Sequence, residues 1–307
     1  MSGDVYKSLF PYFGGKSRIA DVVWQVLGDV PHYVEPFFGS GAVLFARPWL
    51  HAGRVETVND ADGMVSNFWR ALQADPEAVA EHADWPVNEA DLYARHAWLY
   101  ARRGSLDATL RKDPEFYDAK IAGWWVWVVS ASIGSDWVET RGIKKPHLAD
   151  AGQGVNRPSG GVRELMRRYS ARLRRVRVCS GDWSRVCTDG VLAAGDWAVV
   201  GVFLDPPYGF DAGRRAGIYA VDDLNESGMC RDWCAEKGDN PRIRIVLCGL
   251  EGEHESLLDY GWSVHVWRGA GGFSSQGNRG NTNRHRERLY LSPHCLQPTT
   301  QILMFDK

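Results

Sequence analysis

The sequence predicts a doubly wound α/β fold with a mostly helical insertion after its second strand, and three observations carry that reading. Short apolar segments at 33–35, 55–58, 176–179, 197–204, 243–248 and 288–292 read as strands. The longest, 197–204, is apolar without alternation, as in a strand covered on both faces of a parallel sheet. The alternation of strand and helix lapses between 75 and 177, where Trp, Arg and helix formers dominate, and resumes at Val176. Residues 1–74 with 178–307 are therefore expected to form one domain, and 75–177 a second domain inserted in it.

Taken in order, 33–35 is a short strand running into Pro36-Phe37-Phe38-Gly39-Ser40-Gly41, a helix begins at 42–46, and the next strand ends at Asn59-Asp60. This is a βαβ unit. Trp124, Trp125 and Trp127 sit in an apolar stretch without interleaved charge and read as helix core. Gly and Pro punctuate 142–161 as a loop. Over 163–177, Leu165, Tyr169, Leu173 and Val176 fall at helical spacing, with Arg167, Arg168, Arg172, Arg174, Arg175 and Arg177 mostly elsewhere around the wheel. An amphipathic helix with a cationic side follows.

Composition narrows the function classes. The 307 residues hold 36 Lys+Arg against 38 Asp+Glu, a net charge of −2, which does not suit a protein that coats nucleic acid or anionic membrane by bulk charge. A local basic patch remains compatible. The most apolar stretch, 122–134, is short of a membrane span, and the N-terminus lacks the pattern of an export signal, so a cytoplasmic location is expected. Six cysteines, Cys179, Cys187, Cys230, Cys234, Cys248 and Cys295, include no CxxC pair, so buried thiols and no metal are expected.

Two places carry chemistry. Gly39-Ser40-Gly41 lies between a strand and a helix, where glycine permits a tight turn and close approach of a ligand to the backbone. The third glycine of a dinucleotide fingerprint would fall at Leu44, which argues against NAD. Asp60, at the end of the next strand, is placed to accept the ribose hydroxyls of a nucleoside. A nucleoside without pyrophosphate suggests S-adenosylmethionine. Asp205-Pro206-Pro207-Tyr208 follows directly on the apolar strand, at the end of the sheet where such folds bind ligands. Its two prolines stiffen the turn, the Asp205 carboxylate and Pro206 carbonyl can both accept from one exocyclic amino group, and Tyr208 offers a flat face to a base.

The ordered set Pro11-Tyr12-Phe13-Gly14-Gly15-Lys16, Val34 through Gly41, Asn59-Asp60 and Asp205-Pro206-Pro207-Tyr208 resembles the Dam-type family of DNA adenine-N6 methyltransferases. The resemblance covers roughly the first 70 residues and 178–210. It implies a Rossmann-like methyltransferase sheet, S-adenosylmethionine as cofactor, and double-stranded DNA as substrate with its target adenine flipped out. It further implies that Tyr12, Lys16, Phe37, Gly39 and Gly41 lie beside the cofactor, that Asp60 binds its ribose, that Asp182 approaches its adenine, and that Asp205 to Tyr208 hold the target base. The family's DNA-reading insertion maps to 75–177. It admits a phage or bacterial restriction–modification setting with a cognate restriction nuclease as partner.

Phosphate contacts are expected from Arg167, Arg168 and Arg172 on the cationic helix. Groove or backbone contacts are expected from Lys144, Lys145, His147, Asn156 and Arg157 in the central loop, and 269–283, flanked by arginines, is a further segment able to order on DNA. Two alternatives stay open at this level: the same fold acting on cytosine-N4, RNA or a protein amide, and a DNA-binding module that keeps the cofactor without turnover.

Overall fold

The computed structural model describes residues 8–12, 15–48, 53–113, 115–132, 146, 154–156, 161–193, 195, 198–208, 225–267 and 286–297. Its sheet has seven strands, β1 (His32–Glu35), β2 (Val55–Asp60), β3 (Val176–Ser180), β4 (Val200–Leu204), β5 (Ile243–Leu250), β6 (Ser263–Val266) and β7 (Glu287–Leu291), in the order β3-β2-β1-β4-β5-β7-β6. The first five run parallel, β7 is antiparallel to β5, and β6 is antiparallel to β7. The chain leaves β1 toward β2 and β3, then returns to its other side with β4 and β5. That reversal opens a crevice beyond the carboxyl ends of β1 and β4.

The strands expected from sequence are found with small shifts at their ends. The one expected over 197–204 begins at Val200, and Trp197 lies outside the described residues. β6 was not expected. It is four residues long, and Val264 and Val266 are exposed, so it shows none of the inward alternation by which strands are recognised.

Both faces of the sheet are covered, as the doubly wound reading requires. Along β5, Val246 and Cys248 join one apolar cluster while Ile245 and Leu247 join the other, the period of two inherent to a pleated strand. The first cluster takes in α1 (Ala20–Leu27), α3 (Gly63–Ala74), α4 (Pro76–Ala83), α5 (Glu89–Tyr100), α7 (Ala119–Ala131) and α8 (Val162–Leu173). The second is covered by α9 (Asp189–Leu192) and α10 (Glu226–Lys237). The one-turn α2 (Ala42–Phe45) follows the glycine turn, and α6 (Arg103–Lys112) packs on α3.

Between β2 and β3, capping side chains set the helix starts: Asp62 accepts from Met64 N (2.8 Å) at α3, and Asp118 from Ile121 N (2.8 Å) at α7. Trp125 and Trp127 are fully buried, as expected; Trp125 packs on Phe68 of α3 (ring centroids 5.6 Å apart), and α7 also lies against α4. Trp124 is half-buried and differs from its neighbours: with Trp85 and Trp127 it surrounds the Arg95 guanidinium at 5.0, 5.1 and 4.4 Å. The cationic helix stops at Leu173, so Val176 belongs to β3. Gln73 ties the junction by donating to the carbonyls of Leu173 (2.8 Å) and Val176 (2.9 Å).

Candidate functional site

The crevice at the reversal point is lined by residues from three strand ends and one N-terminal turn, Tyr12, Lys16, Glu35, Phe37, Gly39, Asp60, Asp205 and Pro207 among them, and it opens to solvent.

The glycine turn is held open by a latch. Asp60 Oδ2 accepts from Gly39 N (2.8 Å), Asp60 Oδ1 from Asp62 N (2.9 Å), and Asn59 Nδ2 donates to the carbonyls of Pro36 (3.1 Å) and Gly181 (2.9 Å). One dipeptide therefore fixes the ends of β1, β2 and β3 together. Gly39 has φ +46°, and a Cβ there would sit 2.6 Å from the Tyr12 ring, so the position requires glycine on two counts. Trp69 Nε1 donates to the Gly39 carbonyl (2.9 Å), completing the turn from behind.

Opposite the latch, the Asp205 turn meets Lys16. Lys16 Nζ lies 2.8 Å from Asp205 Oδ1 and 3.2 Å from the Tyr208 hydroxyl, and its side chain is only 4% exposed. Burial opposes that ammonium, but Asp205 with Tyr208 and Glu287 holds its pKa well above the ordinary lysine value, so Lys16 is a fixed cation. Burial pushes the Asp205 carboxyl up, with Lys16 and a hydrogen bond from the buried Cys248 thiol pulling the other way. The Tyr208 hydroxyl donates to Glu287 Oε2 (2.9 Å) at the start of β7. Pro206 and Pro207 are buried beneath the turn.

Further carboxylates face the same space. Glu35 is buried, accepts from the Tyr33 hydroxyl (2.9 Å), and burial raises its pKa far above the carboxylate range. Burial and the Asp62 charge push Asp60 up to about 7, against the amides of Asp62 and Gly39. Burial pushes Asp62 up to about 6, and Glu226 at the start of α10 also lines the crevice. Acids held this far from ionisation are poised to take a cationic group or hydroxyl donors from a ligand. Phe37 stacks on Trp183 (centroids 6.2 Å apart, 29° between planes), giving one wall an aromatic face.

Most of the residues singled out in sequence therefore meet here. Gly41 does not line the crevice: at φ +68° it caps α2, with the Phe38 and Phe45 rings where a Cβ would lie. Asp182 does not line the crevice either. Its Oδ1 accepts from Ser184 N (2.9 Å) and Oγ (2.5 Å), and it borders a separate cleft with Ser66, Arg70, Arg111 and Arg185. Glu35 and Glu287 were missed. Glu35 stands in the motif that marked the turn, but a single acid at a strand end is indistinguishable from a solvated one without its burial. Glu287 is brought in only by an antiparallel pairing that sequence spacing does not encode.

The cationic helix needs a correction. Arg172 is buried and bidentate to Glu56, with Nη1 2.6 Å from Oε2 and Nη2 2.8 Å from Oε1, while Arg47 Nη1 reaches the same carboxylate at 2.9 Å. Arg172 therefore holds α8 to β2 and is not a surface for phosphate. Arg167 is half-exposed, with its Nε and Nη2 (3.1 Å) on Glu77, which also accepts from Arg163 (2.9 Å). Arg168 is partly buried. Asn156 is described, in a short 3₁₀ turn, whereas Lys144, Lys145, His147, Arg157 and 269–283 lie outside the described residues. Among the described residues no three His, Cys, Asp or Glu side chains converge to hold a metal ion, and no helix is long and apolar enough to cross a membrane.

Comparison with known proteins meets this geometry. The model of the D12 class N6 adenine-specific DNA methyltransferase family matches residues 12–120, a span that includes Lys16, the glycine turn and Asp60 and ends before Asp205. The DNA N-6-adenine-methyltransferase of Escherichia phage P1 is 29% identical over 98 residues, 30% of this chain. That match covers 12% of the phage protein's length. The resemblance read from the motifs is borne out by both.

Proposed function

We propose that the protein transfers a methyl group from S-adenosylmethionine to the N6 amino group of an adenine flipped out of double-stranded DNA. The observation that carries this reading is the Lys16–Asp205 pair on a rigid Pro-Pro turn, facing the Asp60–Gly39 latch across one crevice. The family match over the latch half of that crevice supports it.

The residues present fit the cofactor. Glu35, buried in the crevice wall, suits its ammonium; Asp60 suits its ribose hydroxyls; Tyr12 and Phe37 give it aromatic walls. When bound, S-adenosylmethionine supplies a methyl group on a sulfonium, an electrophile that needs no further activation. The adenine amino nitrogen is the weak partner, because its lone pair is delocalised into the ring. Asp205 and the Pro206 carbonyl accept its two N–H bonds, which favours a pyramidal nitrogen with its lone pair aimed into the crevice. Lys16 fixes the Asp205 carboxylate on one oxygen and leaves acceptor capacity for the base. Tyr208 stacks on the extruded ring and offsets the few kcal/mol of stacking lost in the duplex. Asp205 need not be a strong base, since the methylated ammonium is acidic and gives up its proton readily.

Residues 75–177 carry target recognition in this reading, with Lys144, Lys145, Arg157, Arg167 and Arg168 contacting the DNA backbone. Arg172 is withdrawn from that set by its pairing with Glu56. The test is transfer of tritiated methyl from S-adenosylmethionine to unmethylated DNA, followed by digestion to nucleosides. Label in N6-methyl-2′-deoxyadenosine supports the proposal. Label in N4-methyl-2′-deoxycytidine moves it to the other amino base, and label retained by Asp205→Ala removes the mechanism.

A further inference from the structure

Glu287 takes no part in the chemistry above, yet it is the farthest member of a continuous hydrogen-bonded chain. Asp205 Oδ1 holds Lys16 Nζ (2.8 Å), Lys16 Nζ donates to the Tyr208 hydroxyl (3.2 Å), and that hydroxyl donates to Glu287 Oε2 (2.9 Å). The phenol is therefore gripped twice, as acceptor from one side and donor to the other. Lys16 also stands 5.5 Å from the ring centroid, against the ring itself. A tyrosine held at its tip by two groups on different elements loses both swing about χ1 and the spread of ring angles that a loop-end side chain otherwise samples.

The elements joined are far apart in sequence. Tyr208 ends the β4 turn, and Glu287 opens β7, an antiparallel strand paired with β5. Such a bond is not a by-product of local chain geometry. Water could satisfy a half-buried phenol, whereas a carboxylate at this depth carries a desolvation penalty that shows as a raised pKa. A group held at that cost where water would suffice points to a demand for orientation.

We infer that Glu287 is a positioning residue: it locks the Tyr208 ring plane for stacking on the extruded base and, through Lys16, sets the aim of the Asp205 carboxylate. This rests on the methyltransferase reading of the same site. It assigns the work to the rate of transfer and not to cofactor affinity, because Glu287 does not line the crevice where Glu35 and Asp60 stand.

The experiment is a double-mutant cycle in the full chain with Glu287→Ala, Glu287→Gln and Tyr208→Phe. It reads kcat and KM on unmethylated DNA, S-adenosylmethionine binding by equilibrium dialysis, and thermal unfolding. Glu287→Ala should lower kcat about 10- to 100-fold, the scale of a displaced reacting group, with cofactor Kd changed less than about threefold on the same basis. Glu287→Gln keeps an acceptor oxygen and should recover to within about fivefold of wild type. In a Tyr208→Phe background both changes at 287 should have little further effect, since the bond they break is already gone. A merely structural role would lower the melting temperature and leave kcat of the folded fraction intact. Wild-type kcat in Glu287→Ala, or losses at 208 and 287 that multiply independently, overturns the inference while the methyltransferase reading stands. No transfer by the wild-type protein overturns the reading and the inference together. If Glu287→Ala does not fold, Glu287→Met, which fills the same space without an acceptor oxygen, takes its place in the cycle, independent losses again counting against the inference.

Discussion

Two buried ion clusters sit on this sheet, and they are built on opposite principles. Toward the amino ends of the strands, Glu56 is gripped by Arg47 and Arg172 across β2, with the arginine side chains 0% and 7% exposed. Burial pushes Glu56 up, but Arg172 and then Arg47 outweigh it and hold its carboxyl below the ordinary value. Beyond the carboxyl ends, one ammonium, Lys16, is shared by Asp205 and, through Tyr208, Glu287, and both carboxyls are raised. The first cluster has its acid satisfied by a surplus of donors and closes on itself. The second has a surplus of acid and opens on a crevice. A buried network that is fully paired stabilises an interface between elements; one left short of cations keeps capacity for a ligand.

The sharpest break in that contrast comes at Asp205. Asp205→Ala should reduce methyl transfer by roughly a thousandfold, the scale of losing an acceptor preorganised for the transition state. Thermal stability should fall as well, because Asp205 is the counter-charge of the buried Lys16 ammonium, so the transfer rate is to be read on the folded fraction. Kinetics paired with calorimetry on one preparation checks both halves. The mirror experiment is Glu56→Gln, which leaves the Arg172 guanidinium without its counter-charge and Arg47 with only Asp29 at 3.8 Å, and should cost about 3–5 kcal/mol of stability. In denaturant titration the midpoint should fall, while kcat of the folded protein stays at the wild-type level. Loss of kcat without loss of stability in Glu56→Gln would erase the distinction between the clusters.

The contrast also explains what was legible in the sequence. Strands and motif turns are local: Asp205-Pro206-Pro207-Tyr208 after an apolar run, and Gly39 before a helix, state their own positions because backbone geometry demands those residue types. Arginine partners are not local. Arg172 and Arg167 stand five residues apart on one helix and looked alike, yet one is buried against Glu56 on β2 and the other lies on the surface against Glu77 on α4. Only the packing of α8 on the sheet separates them. Glu287 was hidden for the same reason, and so was the cage of Trp85, Trp124 and Trp127 around Arg95, drawn from three separate segments. Trp124 read as core is in fact a half-buried stacking face.

A smaller effect probes the acid surplus by pH. Asp60, pushed up to about 7 by burial, is protonated in the free protein below that pH. Its raised folded value means the folded state holds the proton more tightly than the unfolded chain, so its contribution to stability is full below about pH 4 and is lost as pH rises through 7. Ribose hydroxyls donate to the ionised form and therefore bind better as pH rises. Affinity for adenosine, which carries the ribose without an ammonium, should weaken up to about tenfold per unit below pH 7 and level off above it. Asp60→Asn should flatten that profile. Isothermal titration between pH 6 and 8 reads it, and a flat wild-type profile would detach Asp60 from the ribose.

The smallest expected effect lies on the outer face of α8, where Glu77 neutralises Arg163 and Arg167 in the open. Removing one cation that sits on a phosphate lowers the slope of log affinity against log salt by about 0.9. Arg167→Ala should lower it by less, because its charge is already partly spent on Glu77, whereas Arg172→Ala should leave the slope alone and lower stability. Glu77→Gln runs the other way: it releases two guanidinium groups and should steepen the slope by up to about 2 units if this face meets the duplex. Filter binding to duplex DNA between about 50 and 200 mM salt measures all three variants against wild type. An unmoved slope in Glu77→Gln would mean that α8 carries arginines for the same purpose on both its sides, to fasten itself to β2 within and to α4 without, and would shift the phosphate-binding role to Lys144, Lys145 and Arg157.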